Sequence, residues 1–336
     1  MKVSILGTGG WGLTLGKHLF ENGHTVVFWT HSPEEAEMLS REHEYRDKLP
    51  GVKLPAAFKY FTHLGSAISD SEIILLVVPS QVMGNVARML ATLPPKGKSP
   101  ILVSATKGIT EDTTQRMSEV LLSNIPWLTP ENMVTLSGPS HAEEVSRGIP
   151  TTVVSAGPGP EQISTVQAVF SGRHLRVYTS PDQIGVELAG SLKNVIAIAT
   201  GILDGLGMGD NTKGALMTRG LAEITRLGEA LGANPRTFAG LAGMGDLITT
   251  CMSRHSRNRY VGEHIGKGEK LKDVLAGMKM VAEGVPTCRS AYALAKRLGV
   301  EMPITEECHN VLFSGKPVLE AIKDLMQREL KAEIWN

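Results

Sequence analysis

The 336-residue chain predicts an α/β fold: a doubly wound parallel sheet over residues 1–180, then an all-helical domain over 181–336. Three observations carry that reading. Short, nearly continuous apolar runs alternate with helix-length segments through the first half, as expected of strands covered on both faces. A glycine-rich turn follows the first of these runs. Past Ser180–Pro181 the β-branched runs stop and helical periodicity takes over.

In order, the strand candidates are KVSIL at 2–6, TVVFW at 25–29, IILLVV at 73–78, ILVSA at 101–105 and MVTL at 133–136. Segments such as 11–22 and 81–92 between them have helix length, and repeated βα units imply a parallel sheet. TTVVS at 151–155 and LRVY at 175–178 are candidates to extend it, with a helix near 161–170. The second half reads as helices over 184–203, 213–231, 288–298 and 303–313, broken by turns such as GLGMGD and AGMGD.

Composition narrows the function. With 34 basic and 34 acidic side chains the formal charge is zero, which argues against a nucleic-acid binder. Cys251, Cys288 and Cys308 show no metal or disulfide spacing, so a reducing compartment and no metal are expected. The apolar N-terminus runs into glycines too early for a signal peptide, and no later run is expected to reach membrane-spanning length. The expectation is a cytoplasmic protein without membrane insertion.

Gly7-Thr8-Gly9-Gly10-Trp11-Gly12 is G-x-G-x-x-G between a strand and a helix, a Rossmann-like dinucleotide fingerprint. Gly7 permits the turn, Gly9 lets backbone approach a pyrophosphate, and Gly12 lets helix and strand pack closely. The helix N-terminus offers free N–H groups to the phosphates. The second strand ends Trp29-Thr30-His31-Ser32, with no carboxylate in that run to repel a 2′-phosphate and His31 able to bond one. NADH and NADPH both stay open, with NADPH the plausible preference.

A reductase needs an acid beside the nicotinamide. Lys107 in SATKGIT follows the fourth strand, where ligands of open α/β sheets bind. Lys193 is the only charge in LAGSLKNVIAIATGIL, and its helical neighbours Val186, Ala189, Gly190, Ala197 and Thr200 are mostly small. That face is expected to border a crevice or a close-packed element rather than open water, and to leave room for cofactor and substrate at the domain seam. A snorkelling lysine at a domain seam is the plainer alternative. Ser140 and Glu143 fit a capping box beyond a further strand. The run Ser253–Arg259 holds three arginines and reads as a basic turn or a phosphate clamp.

The strings GTGGWG, VVPSQV, SATKGI, SGPSHAEE, VELAGSLKNVIAIATG, AGMGDLITTC, SRNR and VAEGVPT occur in order along nearly the whole chain. On them, the chain resembles the bacterial NAD(P)-dependent glycerol-3-phosphate dehydrogenases. The resemblance implies reversible reduction of dihydroxyacetone phosphate, a homodimer and a supply of glycerophospholipid precursor. By it, Lys193 is the general acid/base and Lys107 touches both substrate and cofactor. Gly138 and Ser140 line the substrate site, Asp246 and Thr250 flank the reacting lysine, and Ser256, Arg257 and Asn258 hold the phosphate. Gly10, Trp11, His31, Ala142, Val281 and Glu283, with Arg257 nearby, complete the dinucleotide site. Gly10 and His141 depart from the resemblance, where serine and a bulky aromatic are common. Another lysine-dependent reductase, acting on a 3-hydroxy acid or ketopantoate, and a non-enzymatic dinucleotide sensor are the alternatives.

Overall fold

The computed structural model describes residues 1–330, 332 and 333, so the segment assigned to 181–336 ends partly outside them. β1 (Lys2–Leu6), α1 (Gly10–Glu21), β2 (Thr25–Trp29), α2 (Pro33–Glu42), β3 (Lys59–Phe61) and α3 (Leu64–Ile68) open the chain. β4 (Ile73–Leu76), α4 (Met83–Ala91), β5 (Ile101–Ser104), α5 (Met117–Asn124) and β6 (Met133–Ser137) continue the alternation. α6 (Ala142–Val145), β7 (Thr151–Ala156), α7 (Pro160–Phe170) and β8 (Leu175–Ser180) complete a sheet ordered β3-β2-β1-β4-β5-β6-β7-β8.

Side-chain alternation builds two apolar layers from the same strands. Ile73 and Leu75 of β4 join a core with Ile5, Leu13 and Phe170. Ile74 and Leu76 join the opposite core with Leu6, Leu90 and Leu121. The extension of the sheet corrects the all-parallel expectation: β7 runs antiparallel to β6, and β8 parallel to β7. The β6–β7 link contains only the single turn of α6, too little to cross the sheet, whereas α7 supplies a full crossover.

The second half contains α8 (Gln183–Gly205), α9 (Asp210–Ala230), α10 (Pro235–Phe238) and a π-helical turn, Leu241–Gly245, that runs into α11 (Asp246–Met252). α12 (Arg257–Gly266), α13 (Leu271–Ala276), α14 (Gly284–Leu298), α15 (Pro303–Phe313) and α16 (Val318–Met326) follow. α8 is the axis of this half, buried from Gly185 to Leu203. Asp182 caps its start by accepting from the Gly185 N–H at 2.9 Å. The expectation that no run reaches spanning length fails here. By length and apolar composition α8 could cross a membrane, yet its apolar stretch is entirely buried by the rest of the protein.

Two glycines set how α8 meets α12. A Cβ on Gly201 would lie 2.0 Å from the Arg259 carbonyl oxygen, and one on Gly262 would lie 1.9 Å from that of Ile198. The two backbones therefore touch, and only glycine fits. Glu187 of α8 ties the halves together. It accepts from Arg116 Nη1 at 2.7 Å and from the Ser118 N–H and hydroxyl at 2.8 and 2.6 Å, at the start of α5.

Candidate active site

A cleft of about 670 Å³ runs between the C-terminal ends of the strands and the helical half. The glycine turn forms one end of it, with Gly7, Gly9, Gly10, Trp11 and Gly12 all in the wall. Gly7 has φ +116°, a conformation that only glycine adopts without strain. Gly9 is the N-cap of α1 and supplies no side-chain cap; a Cβ there would meet nothing within 4 Å. The first turn of α1 thus borders open cleft space with no side chain over Gly9, which fits a pyrophosphate. His31 and the exposed Val281 line the same cleft, and Ala142, first residue of α6, lies against the Gly10 side of the turn.

Lys193 sits at the other end, buried to 5 % exposure and still part of the cleft wall. Its Nζ donates to Asp246 Oδ1 and to Thr250 Oγ1. Lys107 takes the other carboxylate oxygen, with Nζ 2.8 Å from Asp246 Oδ2, and donates to the Gly138 carbonyl at 2.9 Å and Ser140 Oγ at 3.2 Å. One buried carboxylate therefore bridges two ammonium groups. Burial pulls the Lys193 pKa down to about 8; Asp246 pulls it up, and Lys107 adds to the fall. That leaves an amine able to give or take a proton near neutral pH.

Several details depart from the sequence reading. Asp246 and Gly138 do not line the cleft; they hold the lysines from behind. Of the small neighbours of Lys193, Val186, Ala189, Gly190, Ala197 and Thr200 are buried away from the cleft. They admit protein rather than ligand: a Cβ on Gly190 would lie 2.5 Å from Ser137 Oγ. The capping box at Ser140 and Glu143 does not form, because His141 is the N-cap of α6 and no side chain caps it. Ser140 Oγ instead donates to the Gly138 carbonyl at 2.8 Å. His141 lines the cleft, and its Nε2 is buried without a hydrogen-bond partner among the described residues.

The arginine run divides: Ser253–Ser256 is a turn, closed by the Ser256 N–H donating to the Ser253 carbonyl at 3.2 Å, and α12 begins at Arg257. Ser256 is the N-cap and accepts from the Arg259 N–H at 3.2 Å. Arg259 turns away to pair with Asp204 at 2.6 Å, and Arg254 is exposed outside the cleft. Only Arg257 of the three reaches the cleft wall, beside Ser256 and Asn258. Asn258 donates to Asn194 Oδ1 and accepts from the Gly284 N–H, each at 2.8 Å. Asn194 itself lines the cleft and was given no role from the sequence. Glu283, also in the wall, accepts from the Ser80 N–H at 3.0 Å and from its hydroxyl, so its carboxylate anchors the loop after β4.

The end of β2 brings the largest correction. A carboxylate does sit there: Glu35, from the first turn of α2, folds back to accept from Thr8 and Thr30 hydroxyls, both at 2.5 Å, and from Lys48 at 2.6 Å. Glu35 and Lys48 both line the cleft. The signal was present as Ser32-Pro33-Glu34-Glu35, a capping-box pattern, and Ser32 Oγ does accept from the Glu35 N–H at 3.1 Å.

A doubly wound sheet, a phosphate-ready glycine turn and a buried lysine across one cleft mark a nicotinamide-dependent oxidoreductase. Residues 2–162 match the family model "NAD-dependent glycerol-3-phosphate dehydrogenase N-terminus", and residues 182–323 match its C-terminal counterpart. The chain is 50 % identical over 335 residues to glycerol-3-phosphate dehydrogenase [NAD(P)+] of Chlorobium limicola, covering 100 % of both. It is 50 % identical to the protein of that name from Geobacillus thermodenitrificans, over 99 % of this chain and 96 % of the other. The crystal structure of glycerol-3-phosphate dehydrogenase from Coxiella burnetii superposes with a TM-score of 0.92 at 34 % identity, covering 97 % of this chain and 99 % of that one. The chain belongs to the NAD-dependent glycerol-3-phosphate dehydrogenase family.

Proposed function

We propose that this protein interconverts dihydroxyacetone phosphate and sn-glycerol 3-phosphate, with Lys193 as the group that moves the proton. The observation that carries the reading is the Lys193–Asp246–Lys107 cluster, whose two lysines stand in the wall of a cleft whose far end fits a dinucleotide. When bound, the nicotinamide supplies or accepts the hydride. As an ammonium, Lys193 polarises the ketone oxygen and donates a proton to it; as an amine, it takes the proton back from the alcohol. Asp246 keeps the ammonium accessible despite burial, and Thr250 fixes its direction. Lys107 and Ser140 orient the substrate from the sheet side.

Arg257 and the N-terminal turn of α12 bind the substrate phosphate, by guanidinium charge and free N–H groups, with Ser256 and Asn258 beside them. That end of the cleft disfavours the 3-hydroxy-acid and ketopantoate alternatives, whose substrates carry no phosphate. Gly7, Gly9, Gly10, Trp11 and Gly12 hold the dinucleotide, with His31, Ala142, Val281 and Glu283 around it. We also read two domains, 1–180 and 181–336, in line with the two family matches. A homodimer, a cytoplasmic location and supply of glycerophospholipid synthesis rest on the family likeness.

The test is NADPH and NADH oxidation at 340 nm with dihydroxyacetone phosphate, ketopantoate and a 3-oxo acid. Turnover of the phosphorylated triose alone is expected. Turnover of an unphosphorylated acid in its place would overturn the reading.

A further inference from the structure

We propose that Lys48 and Glu35 form a charge pair that sets the discrimination between NADPH and NADH, with Lys48 as the cation for a 2′-phosphate and Glu35 as the acceptor for a 2′-hydroxyl. This rests on the dinucleotide occupying the glycine-turn end of the cleft.

The place is right for it. In Rossmann-like sheets the residues at the end of β2 meet the adenosine ribose, and an acidic residue there bonds the 2′-hydroxyl. Here the acid arrives from α2 instead of from the strand. Glu35 Oε2 accepts from Thr8, inside the glycine turn, and from Thr30, at the strand end. Its other oxygen takes Lys48. Both side chains are largely covered, 11 % exposed for Glu35 and 27 % for Lys48, yet both reach the cleft wall. Those hydrogen bonds hold Glu35 at a pKa of about 2, against the upward pull of burial, so it is an anion at any working pH.

Lys48 reaches Glu35 because of Gly10. A Cβ at Gly10 would lie 2.6 Å from the Lys48 carbonyl oxygen. The absence of a side chain in the glycine turn lets the loop carrying Lys48 settle onto it. The departure at Gly10 and the cation at Lys48 are thus two halves of one arrangement.

The pair makes this corner nearly neutral. A 2′-hydroxyl can donate to Glu35, while a 2′-phosphate is repelled by Glu35 and attracted by Lys48. Removing either charge must then push selectivity in opposite directions. Such opposed effects separate a role in recognition from one in folding, which would weaken both ligands together.

The experiment titrates purified protein with adenosine 2′,5′-bisphosphate and with 5′-ADP, by calorimetry or by fluorescence of Trp11 in the cleft wall. Neither probe involves the triose. Relative to wild type, Lys48→Gln is expected to lower the preference for the bisphosphate by roughly tenfold or more, and Glu35→Gln to raise it by a similar factor. Gly10→Ser keeps both charges but displaces the Lys48 backbone, and is expected to shift the preference in the same sense as Lys48→Gln. Equal weakening of both probes in these variants, or an unchanged ratio, overturns the proposal while leaving the dinucleotide site standing. Failure of wild type to bind either probe overturns both.

Discussion

Asp246→Asn offers the most direct test of the proton-transfer cluster. The change keeps the shape of a buried side chain and removes the one negative charge between Lys193 and Lys107. Lys193 already sits at about 8 because of burial. Loss of a charge partner in contact moves such a group by about 1–3 units, and here the move is downward. With a shift of about 2 units, to about 6, the protonated fraction at pH 7.5 would fall from about three-quarters to about 3 %, a roughly 25-fold loss. The sign differs by direction. Ketone reduction needs the ammonium, so its rate falls as pH rises through the Lys193 pKa, and the fall comes earlier in the variant. Alcohol oxidation needs the free amine, so its rising limb also moves to lower pH. Profiles of kcat at saturating cofactor, from pH 6 to 10 in both directions, would read this. Limbs that stay where they are, with only the amplitude reduced, would refute the assignment of Asp246 as the group that sets the Lys193 proton.

Arg257→Ala should raise KM for dihydroxyacetone phosphate about 10- to 100-fold, the worth of a charged hydrogen bond, with a smaller change in kcat; an unchanged KM would remove Arg257 from the phosphate site. Gly262→Ala should lower stability by at least about 1–3 kcal/mol, since its Cβ would lie 1.9 Å from the Ile198 carbonyl oxygen. A urea midpoint equal to wild type would show that α8 and α12 can part. Glu187→Ala leaves the Ser118 N–H without its buried acceptor, while Arg116 keeps Glu119 at 2.9 Å, and should cost about 1–3 kcal/mol by the same measurement.

What the sequence disclosed depended on whether the information was local. The glycine turn is local chemistry: Gly7, Gly9 and Gly12 serve a strand–turn–helix path that neighbouring residues define. The β4 run Ile73–Leu76 is apolar on both faces because both layers bury it, and that too is visible in order. β3 escaped because Lys59–Phe61 pairs along one edge and carries no apolar run. The reversal of β7 escaped because it depends on how far α6 continues, not on composition. Lys193 stood out as an isolated charge, and the family strings led to Asp246, 53 positions away. Glu35 and Lys48 were missed because their meeting depends on a loop settling over Gly10. Glu35 also looks like an ordinary first-turn acid on a helix. Asn194 was hidden by its neighbour: its amide matters through Asn258, which only the crossing of α8 and α12 brings near.

The shared carboxylate has a mechanical consequence. Lys107 belongs to the sheet half, while Asp246 and Lys193 both belong to the helical half. Any opening of the cleft that carried Lys107 away would leave Lys193 with its anion and without its cationic neighbour, so the lysine would grip its proton harder. Closing would bring Lys107 back and loosen that grip. Such a motion would gear the acidity of the site to the distance between the halves, the proton held when they part and released when they meet.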